Sequence, residues 1–270
     1  MEDESGATVV VKISGTLMRD GGAPEAFWES VQALEDDANV VLVHGGGKQM
    51  TALSERLGHS PTVVQGRRVT EDLDLDVALW AMGGELNTRL VAQASRNGLT
   101  ATGLTGADAH LLSVSKRPPW TVDGETVDFG WVGDVEGVNA SVLTHLLSAG
   151  ILPVVAPLGM DDDGAVYNVN ADTVAHALAA GLGADALFFV TGSGGVQRCV
   201  DDPSTIVDCC TPATYRTAIE KGWITGGMRV KVETALAALR DGVNEAYICA
   251  PDDLLTRTHS TRVSLEKCDV

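Results

Sequence analysis

Val9-Val10-Val11-Lys12-Ile13-Ser14-Gly15 and Val40-Val41-Leu42-Val43-His44-Gly45-Gly46-Gly47 are two short apolar runs, and each ends in glycine. Apolar runs of this length bounded by glycine read as buried strands of a parallel sheet. A glycine-rich exit from such a strand into a helix presents unpaired backbone N–H groups and a helix N-terminus to an anion. Lys12 sets a fixed cation inside the first run. Two such exits beside a cation point to a site that moves a charged group. Neither exit is a Walker loop, because no G-x-x-x-x-G-K-[ST] occurs in the chain.

Outward from these runs, strand-like segments recur at Thr8–Ile13, Val40–Val43, Leu111–Val114, Ile151–Ala156, Ala186–Val190 and Glu245–Ala250. Helical apolar spacing lies between them, at Ala26–Leu34, Leu75–Ala94, Ser141–Leu147 (capped by Asn139 or Ser141), Asp172–Ala180 and Val230–Arg240. Strands alternating with helices predict an α/β fold with a largely parallel central sheet. Pro118 through Gly130 reads as an excursion from that sheet, of hairpin type, and Asp161-Asp162-Asp163-Gly164 as a hairpin turn. No repeat or linker breaks the chain. The best lobe boundary lies near Gly181–Asp185, giving an N-terminal lobe of 1–181 and a C-terminal lobe of 182–270. Gly181-Leu182-Gly183-Ala184-Asp185-Ala186 fits the spacing of the dinucleotide fingerprint. It follows a helix and precedes a strand, the reverse of the required order, so it reads as a helix C-terminus and excludes a Rossmann dehydrogenase.

Composition narrows the class. The 270 residues are 44% hydrophobic and 21% charged, ordinary for a globular protein, and no apolar stretch is long enough to span a bilayer. The acidic start Met1-Glu2-Asp3-Glu4 lacks the basic region of a signal peptide. Five cysteines (Cys199, Cys209, Cys210, Cys249, Cys268) without a C-x-x-C pair predict reduced thiols in a cytoplasm. The histidines and cysteines show no zinc spacing, and no metal site is expected on the protein itself. A net charge of -18 disfavours nucleic acid and anionic membranes as partners. It fits either a protein adapted to a high-salt cytoplasm or an acidic enzyme of ordinary salt.

Five segments carry the chemistry: Lys12 with Gly15; His44-Gly45-Gly46-Gly47; Gly66-Arg67-Arg68-Val69-Thr70; Asn168-Val169-Asn170-Ala171-Asp172; and Gly226-Gly227-Met228-Arg229-Val230-Lys231. In this order and spacing they resemble the amino acid kinase family, and within it the acetylglutamate kinases, from about Val9 to the C-terminus. Gly103 to Asp108, Lys116-Arg117-Pro118 and Gly130 to Val135 are similar to the branch found in Bacteroides-like bacteria. The resemblance implies a three-layer αβα sandwich and ATP-dependent phosphorylation of the side-chain carboxylate of N-acetyl-L-glutamate in arginine biosynthesis. Mg2+ would be held mainly by the nucleotide phosphates. Residue by residue, it makes Lys12 and Lys231 stabilisers of the transferring phosphoryl and Asp172 the acid that holds both lysines. Gly15 and Gly45 would offer amides to the phosphoryl. Gly46, Gly47, Arg68 and Asn168 would bind the amino acid. The chemistry agrees with this independently. A carboxylate with a pKa of about 4.3 is already ionised at neutral pH, so its phosphorylation needs charge cancellation and positioning rather than a general base.

Each residue also has a plainer reading. Lys12 alone reads as a lysine snorkelling from a strand end, Arg68 as half of a surface pair with Glu71, Asp172 as a first-turn helix acid and Lys231 as part of a solvated helix face. His44 reads as a hydrogen-bonded packing residue. Five matched segments in order make these readings jointly untenable.

The family pattern is broken in two places. Ser14 stands where a glycine is usual, keeping the backbone N–H but narrowing the backbone angles. After the strand Ala186–Val190 the chain reads Thr191-Gly192-Ser193-Gly194-Gly195-Val196, without the aspartate usual there. Thr191, Gly192, Gly195, Val196, Trp223, Ile224 and Thr225 are nucleotide candidates by position. Arginine-inhibited members of the family it resembles carry an additional N-terminal helix that links dimers into hexamers; here the first strand begins near Thr8, so the resemblance implies a homodimer without arginine feedback. Two alternatives stay open. The Bacteroides-like segments raise N-succinyl-L-glutamate as substrate, with Arg67, Lys116 and Arg117 as sources of charge for its extra carboxylate. The altered glycine loop raises a catalytically silent binding protein on this fold.

Overall fold

The computed structural model describes residues 6–18, 22–122, 124–200 and 202–268. Met1 to Glu4, read above against a signal peptide, lie outside these. A central sheet is built from β1 (Ala7–Ile13), β2 (Ala38–His44), β3 (Ala101–Thr105), β4 (Leu152–Ala156), β5 (Ala186–Val190), β6 (Cys209–Cys210), β7 (Glu245–Cys249) and β8 (Thr261–Val263). Its spatial order is β6-β8-β7-β5-β1-β2-β4-β3, parallel throughout except between β7 and β8. The sheet runs unbroken across the sequence boundary near Gly181–Asp185, because Val9 of β1 pairs with Ala186 of β5.

Helices cover both faces. They are α1 (Glu25–Glu35), α2 (Gly47–Arg56), α3 (Asp72–Ala78), α4 (Asn87–Arg96), α5 (Ala140–Ser148), α6 (Ala171–Leu182), α7 (Pro212–Glu220) and α8 (Gly226–Arg240). Side chains alternate along a strand, so β1 sends Val9, Val11 and Ile13 to one face, where Phe27 and Trp28 of α1 and Leu90 of α4 pack. Val10 faces the other side, against Val174 and Leu178 of α6 and Val232 and Leu236 of α8. Lys12 has the parity of Val10. The same period that buries β1 therefore aims its only charge at α6 and α8.

The expected helix Leu75–Ala94 is a longer helical run, α3 to α4, joined by a π-helix over Leu79–Leu86. Leu111–Val114, expected among the sheet strands, is strand Leu112–Lys116 of a separate four-stranded sheet with Gly133–Val138, Leu158–Met160 and Val166–Asn168. The 118–130 excursion is a hairpin of Trp120–Val122 with Glu125–Val127, and Asp161–Gly164 is the turn between two antiparallel strands. Gly183 caps α6 in the left-handed region (φ 61°), as the helix C-terminus reading requires. Asn139 and Ser141 bond to each other and make no side-chain cap on α5.

The expectation of reduced thiols fails at two positions. Cys209 and Cys268 form a disulfide, while Cys199, Cys210 and Cys249 are free. Parallel pairing of β6 with β8 brings the chain after Val263 back beside Cys209, a juxtaposition of residues 59 apart that local spacing does not reveal.

Candidate active site

β1 and β2 are adjacent and in register, Ile13 opposite His44, so their two glycine exits lie side by side. The approach is close. A Cβ on Gly15 would lie 3.1 Å from Gly46 N, and one on Gly45 would lie 3.1 Å from Gly15 N. A side chain at either position would press on the facing backbone, and glycine avoids this. Gln49 of α2 ties the exits together, its Nε2 donating to Gly15 O (3.2 Å) and Met18 O (2.6 Å).

These exits form the floor of a cavity of about 470 Å³. Its wall includes Lys12, Gly15, Gly45, Gly46, Gly47, Arg68, Asn168 and Asp172, all anticipated from sequence. The first turns of three helices open onto it, through Gly47 of α2, Ala171 of α6 and Gly227 of α8. Helix N-termini favour negative charge. The wall also carries the cations Lys48, Arg67 and Arg117, while Asp172 is the only acid on it among the described residues. In a chain of net charge -18 this is a local inversion of sign suited to an anionic ligand.

Asp172 bridges Lys12, on the cavity wall like itself, and Lys231, which is not on the wall: Oδ1 lies 2.7 Å from Lys12 Nζ and Oδ2 3.1 Å from Lys231 Nζ. All three are buried. Asn170 caps α6, its side chain accepting from Asp172 N (2.9 Å) and Thr173 N (3.2 Å), which sets Asp172 in the first helical turn. Lys231 lies on the stripe of α8 that also buries Ala235 and Ala238. The plainer readings of Lys12 and Lys231 as solvated lysines thus fail. Burial lowers the Lys12 pKa, and Lys231 lowers it further, against the pull of Asp172. Burial on its own would raise the Asp172 pKa, but the two lysines together hold it below the usual carboxylate value. The cluster keeps one net positive charge in a desolvated place, where it acts strongly on any phosphoryl group brought to it.

Arg68 sits on a hairpin of Val63–Val64 with Arg67–Arg68, whose two turn residues, Gln65 and Gly66, both have positive φ (48° and 77°). Its Nη2 donates to Thr51 Oγ1 (2.6 Å) and Gly47 O (3.3 Å), and its Nη1 lies 3.7 Å from Asp74 Oδ1. The partner is buried Asp74 rather than Glu71. Asp74 also closes a capping box begun by Glu71, its Oδ2 accepting from Glu71 N (3.3 Å). Asn168 Nδ2 donates to Thr70 Oγ1 (3.1 Å), leaving its carbonyl oxygen for a ligand. Arg117 is buried against Asp134 (Nε to Oδ1, 2.9 Å), and the Arg67 and Arg117 guanidinium groups lie 4.8 and 5.1 Å from the Trp120 ring centroid. Lys116 pairs with Asp128 at 3.1 Å and is not on the cavity wall.

Gly45 lines the cavity, but its N–H donates to Ile13 O (3.0 Å), so its amide is not free for a phosphoryl group. His44 is a fully buried packing residue, as expected. Burial, and secondarily the Lys12 charge, pull its pKa down to about 4 against the hydrogen bond to Gly45.

The seven nucleotide candidates are not on the cavity wall. Thr191 Oγ1 donates to Gly194 O (2.8 Å), and Val196 N donates to Thr261 Oγ1 (2.7 Å). Val196 and Ile224 are core residues, at 1% and 2% exposure. Trp223 is half-buried, with Lys221 and Arg198 at 5.2 and 5.6 Å from its ring. Gly192 and Thr225 are exposed.

Known proteins resemble this chain in sequence and in fold. The acetylglutamate kinase of Methanopyrus kandleri is 46% identical over 84% of this chain and 94% of that protein. The acetylglutamate kinase of Anaeromyxobacter dehalogenans is 40% identical over 92% of this chain and 94% of its own. Carbamate kinase from Giardia lamblia superposes with a TM-score of 0.67 at 15% identity, covering 97% of this chain and 99% of that one, and so shares the fold. The sequence pattern of the amino acid kinase family spans residues 7–250, and the chain belongs to that family.

Proposed function

We propose that this protein is an ATP-dependent kinase of N-acetyl-L-glutamate, forming an acyl phosphate on the side-chain carboxylate as a step of arginine biosynthesis. The observation that carries the reading is the buried Lys12–Asp172–Lys231 bridge, which meets a cation-walled cavity through Lys12 and Asp172. The relatives named above support it. A side-chain carboxylate oxygen attacks the γ-phosphorus as the bond to the β–γ bridging oxygen breaks, and ADP departs. No proton moves, so the protein supplies alignment and positive charge. Lys12 and Lys231, with the amides of Gly15 and Gly46, neutralise the oxygens of the moving phosphoryl. Asp172 fixes both ammonium groups before substrate arrives, so little reorganisation remains. Arg68 and the Asn168 carbonyl hold the amino-acid end, the guanidinium being suited to a carboxylate.

Both oxygens of Asp172 are taken by lysines, which leaves it unfit as a metal ligand. Among the described residues no group of three acids, histidines or cysteines is placed to bind a metal. Mg2+ accompanying ATP is assigned to the nucleotide phosphates, where it would offset their charge. The nucleotide is assigned to the C-terminal lobe (182–270), beside Thr191, Gly192, Gly195 and the Trp223–Thr225 segment, with Val196 and Ile224 as packing support. The amino acid is assigned to the N-terminal lobe (1–181). ATP supply places the reaction in the cytoplasm.

Assembly as a homodimer is supported by β3, the outermost strand of the central sheet, whose sequence Ala101-Thr102-Gly103-Leu104-Thr105 carries neither charge nor proline. Such an edge invites a partner. Trp80, 51% exposed, adds an apolar surface on the π-helix. Sedimentation should give twice the monomer mass; a monomer would refute the assignment.

A second reading has one observation in its favour. Among the described residues Arg67 lines the cavity without an ion-pair partner, which suits an additional carboxylate such as that of N-succinylglutamate. Parallel assays with N-acetyl- and N-succinylglutamate decide: a higher kcat/KM for the acetyl compound supports the proposal, and the reverse supports the second reading. Calorimetric titration with MgATP tests both against a silent binding protein, which would show no heat of binding.

A further inference from the structure

His44 closes β2 next to the cavity without being on its wall. Asn87 Nδ2 lies 2.9 Å from Val154 O and 3.2 Å from His44 Nε2. A carbonyl only accepts, so the amide nitrogen is the end of Asn87 that faces it, and that nitrogen donates to His44 as well. Nε2 of His44 is therefore the acceptor, and the ring proton sits on Nδ1, 3.0 Å from Gly45 O. The imidazole is neutral at physiological pH, and the charged group bearing on it is Lys12 of the neighbouring strand.

Gly45 O and Gly46 N–H belong to one planar trans peptide and point in opposite directions. Pinning the oxygen to His44 turns the N–H away from the core. Gly46 lines the cavity, and its N–H has no partner among the described residues, whereas that of Gly45 is bonded to Ile13 O. A peptide between two glycines has little conformational preference of its own, so its orientation must be imposed from outside.

We propose that His44, locked as its Nδ1–H tautomer by Asn87, is a positioning residue that aims the Gly46 amide at the phosphoryl group in flight. The inference rests on the kinase reading above. Its chain of control runs from α4, through a buried amide and imidazole, to one peptide plane at the reacting centre. Loss of an oriented donor of this kind costs roughly 10²–10³ in kcat.

Asparagine can place its amide nitrogen where Nδ1 of histidine was, and glutamine places its own where Nε2 was. His44→Asn should therefore keep kcat within about threefold of wild type, while His44→Gln should lose about 10²-fold, both with nearly unchanged KM for ATP and the amino acid. Asn87→Leu, which releases the tautomer, should lower kcat by about tenfold even if the His44 variants fold poorly. Equal kcat in His44→Asn and His44→Gln, or an Asn87→Leu enzyme at wild-type kcat, would overturn the proposal. Nitrogen-15 shifts of the wild-type His44 ring give a readout independent of the substrate. A proton on Nδ1 is expected, and one on Nε2 with a bare Nδ1 overturns the tautomer lock even if the kinase reading fails.

Discussion

Lys12, Asp172 and Lys231 carry opposite consequences for stability and for catalysis. Two buried cations share one acid, so removing a cation relieves the cluster and removing the acid strands two charges. Lys12→Met should hold or raise the melting temperature while lowering kcat by roughly 10³–10⁵, the scale seen when a cation is withdrawn from a transferring phosphoryl. Asp172→Asn should lose activity as well, but with about 3–5 kcal/mol of stability, because it leaves buried charge unpaired. Paired denaturation and kinetic measurements check both; equal stability losses would contradict the cluster's charge balance. The pH dependence follows the same residue. The folded-state pKa of Asp172 lies below the ordinary 3.8, so the stability it contributes is full above that value and is lost only as pH falls through the depressed one. Arg68→Lys should chiefly raise KM for the acylglutamate, since an ammonium cannot hold Thr51, Gly47 O and a carboxylate in one planar fork. An unchanged KM would remove Arg68 from the substrate site. The lysines, Asp172, Arg68 and Asn168 were legible in sequence because each stands in a segment with a fixed pattern around it. Gln49 and Asn87 were not, because each acts through a partner far away in the chain, and Asp74 was not, because it meets Arg68 only through the hairpin that turns the guanidinium back.

At the scale of elements, strands and helices with strong periodicity were legible, with ends within a few residues. What escaped was set by contacts between distant segments. β6 and β8 are two and three residues long and exist because they pair at the sheet edge; the hairpin at 63–68 exists because Gln65 and Gly66 take left-handed angles. The π-helix lies inside a run whose apolar spacing resembles an ordinary helix, and its Met82 side chain occupies the space a Cβ on Gly46 would need. The Cys209–Cys268 disulfide closes a loop of residues 59 apart that contains α7, α8 and Lys231. By loop-closure entropy it contributes about 4 kcal/mol. Cys268→Ser should therefore lower the melting temperature under non-reducing conditions, and reductant should lower the wild type to the same value. A melting temperature indifferent to both would show that the bond does not restrain the chain.

Over the whole molecule the charge of -18 opposes the local inversion at the cavity. At about 0.01 M salt the Debye length is about 30 Å and the carboxylates repel across the fold; at about 1 M it is about 3 Å and the repulsion is screened. Thermal stability should therefore rise with potassium chloride between these limits. A flat or falling melting temperature would exclude adaptation to high salt and leave the active-site assignment untouched. The anionic surface also repels ATP and acylglutamate at long range, so the cations of the cavity hold against the field of the rest of the protein. The central claim is that this cavity joins a phosphoryl group to a side-chain carboxylate, and trapping the product tests it most directly. Incubation with MgATP, N-acetylglutamate and hydroxylamine should give one hydroxamate per ADP formed, because hydroxylamine captures an acyl phosphate, and Lys231→Met should abolish both products together. ADP release without hydroxamate, or a Lys231→Met enzyme that still forms it at the wild-type rate, would contradict the account.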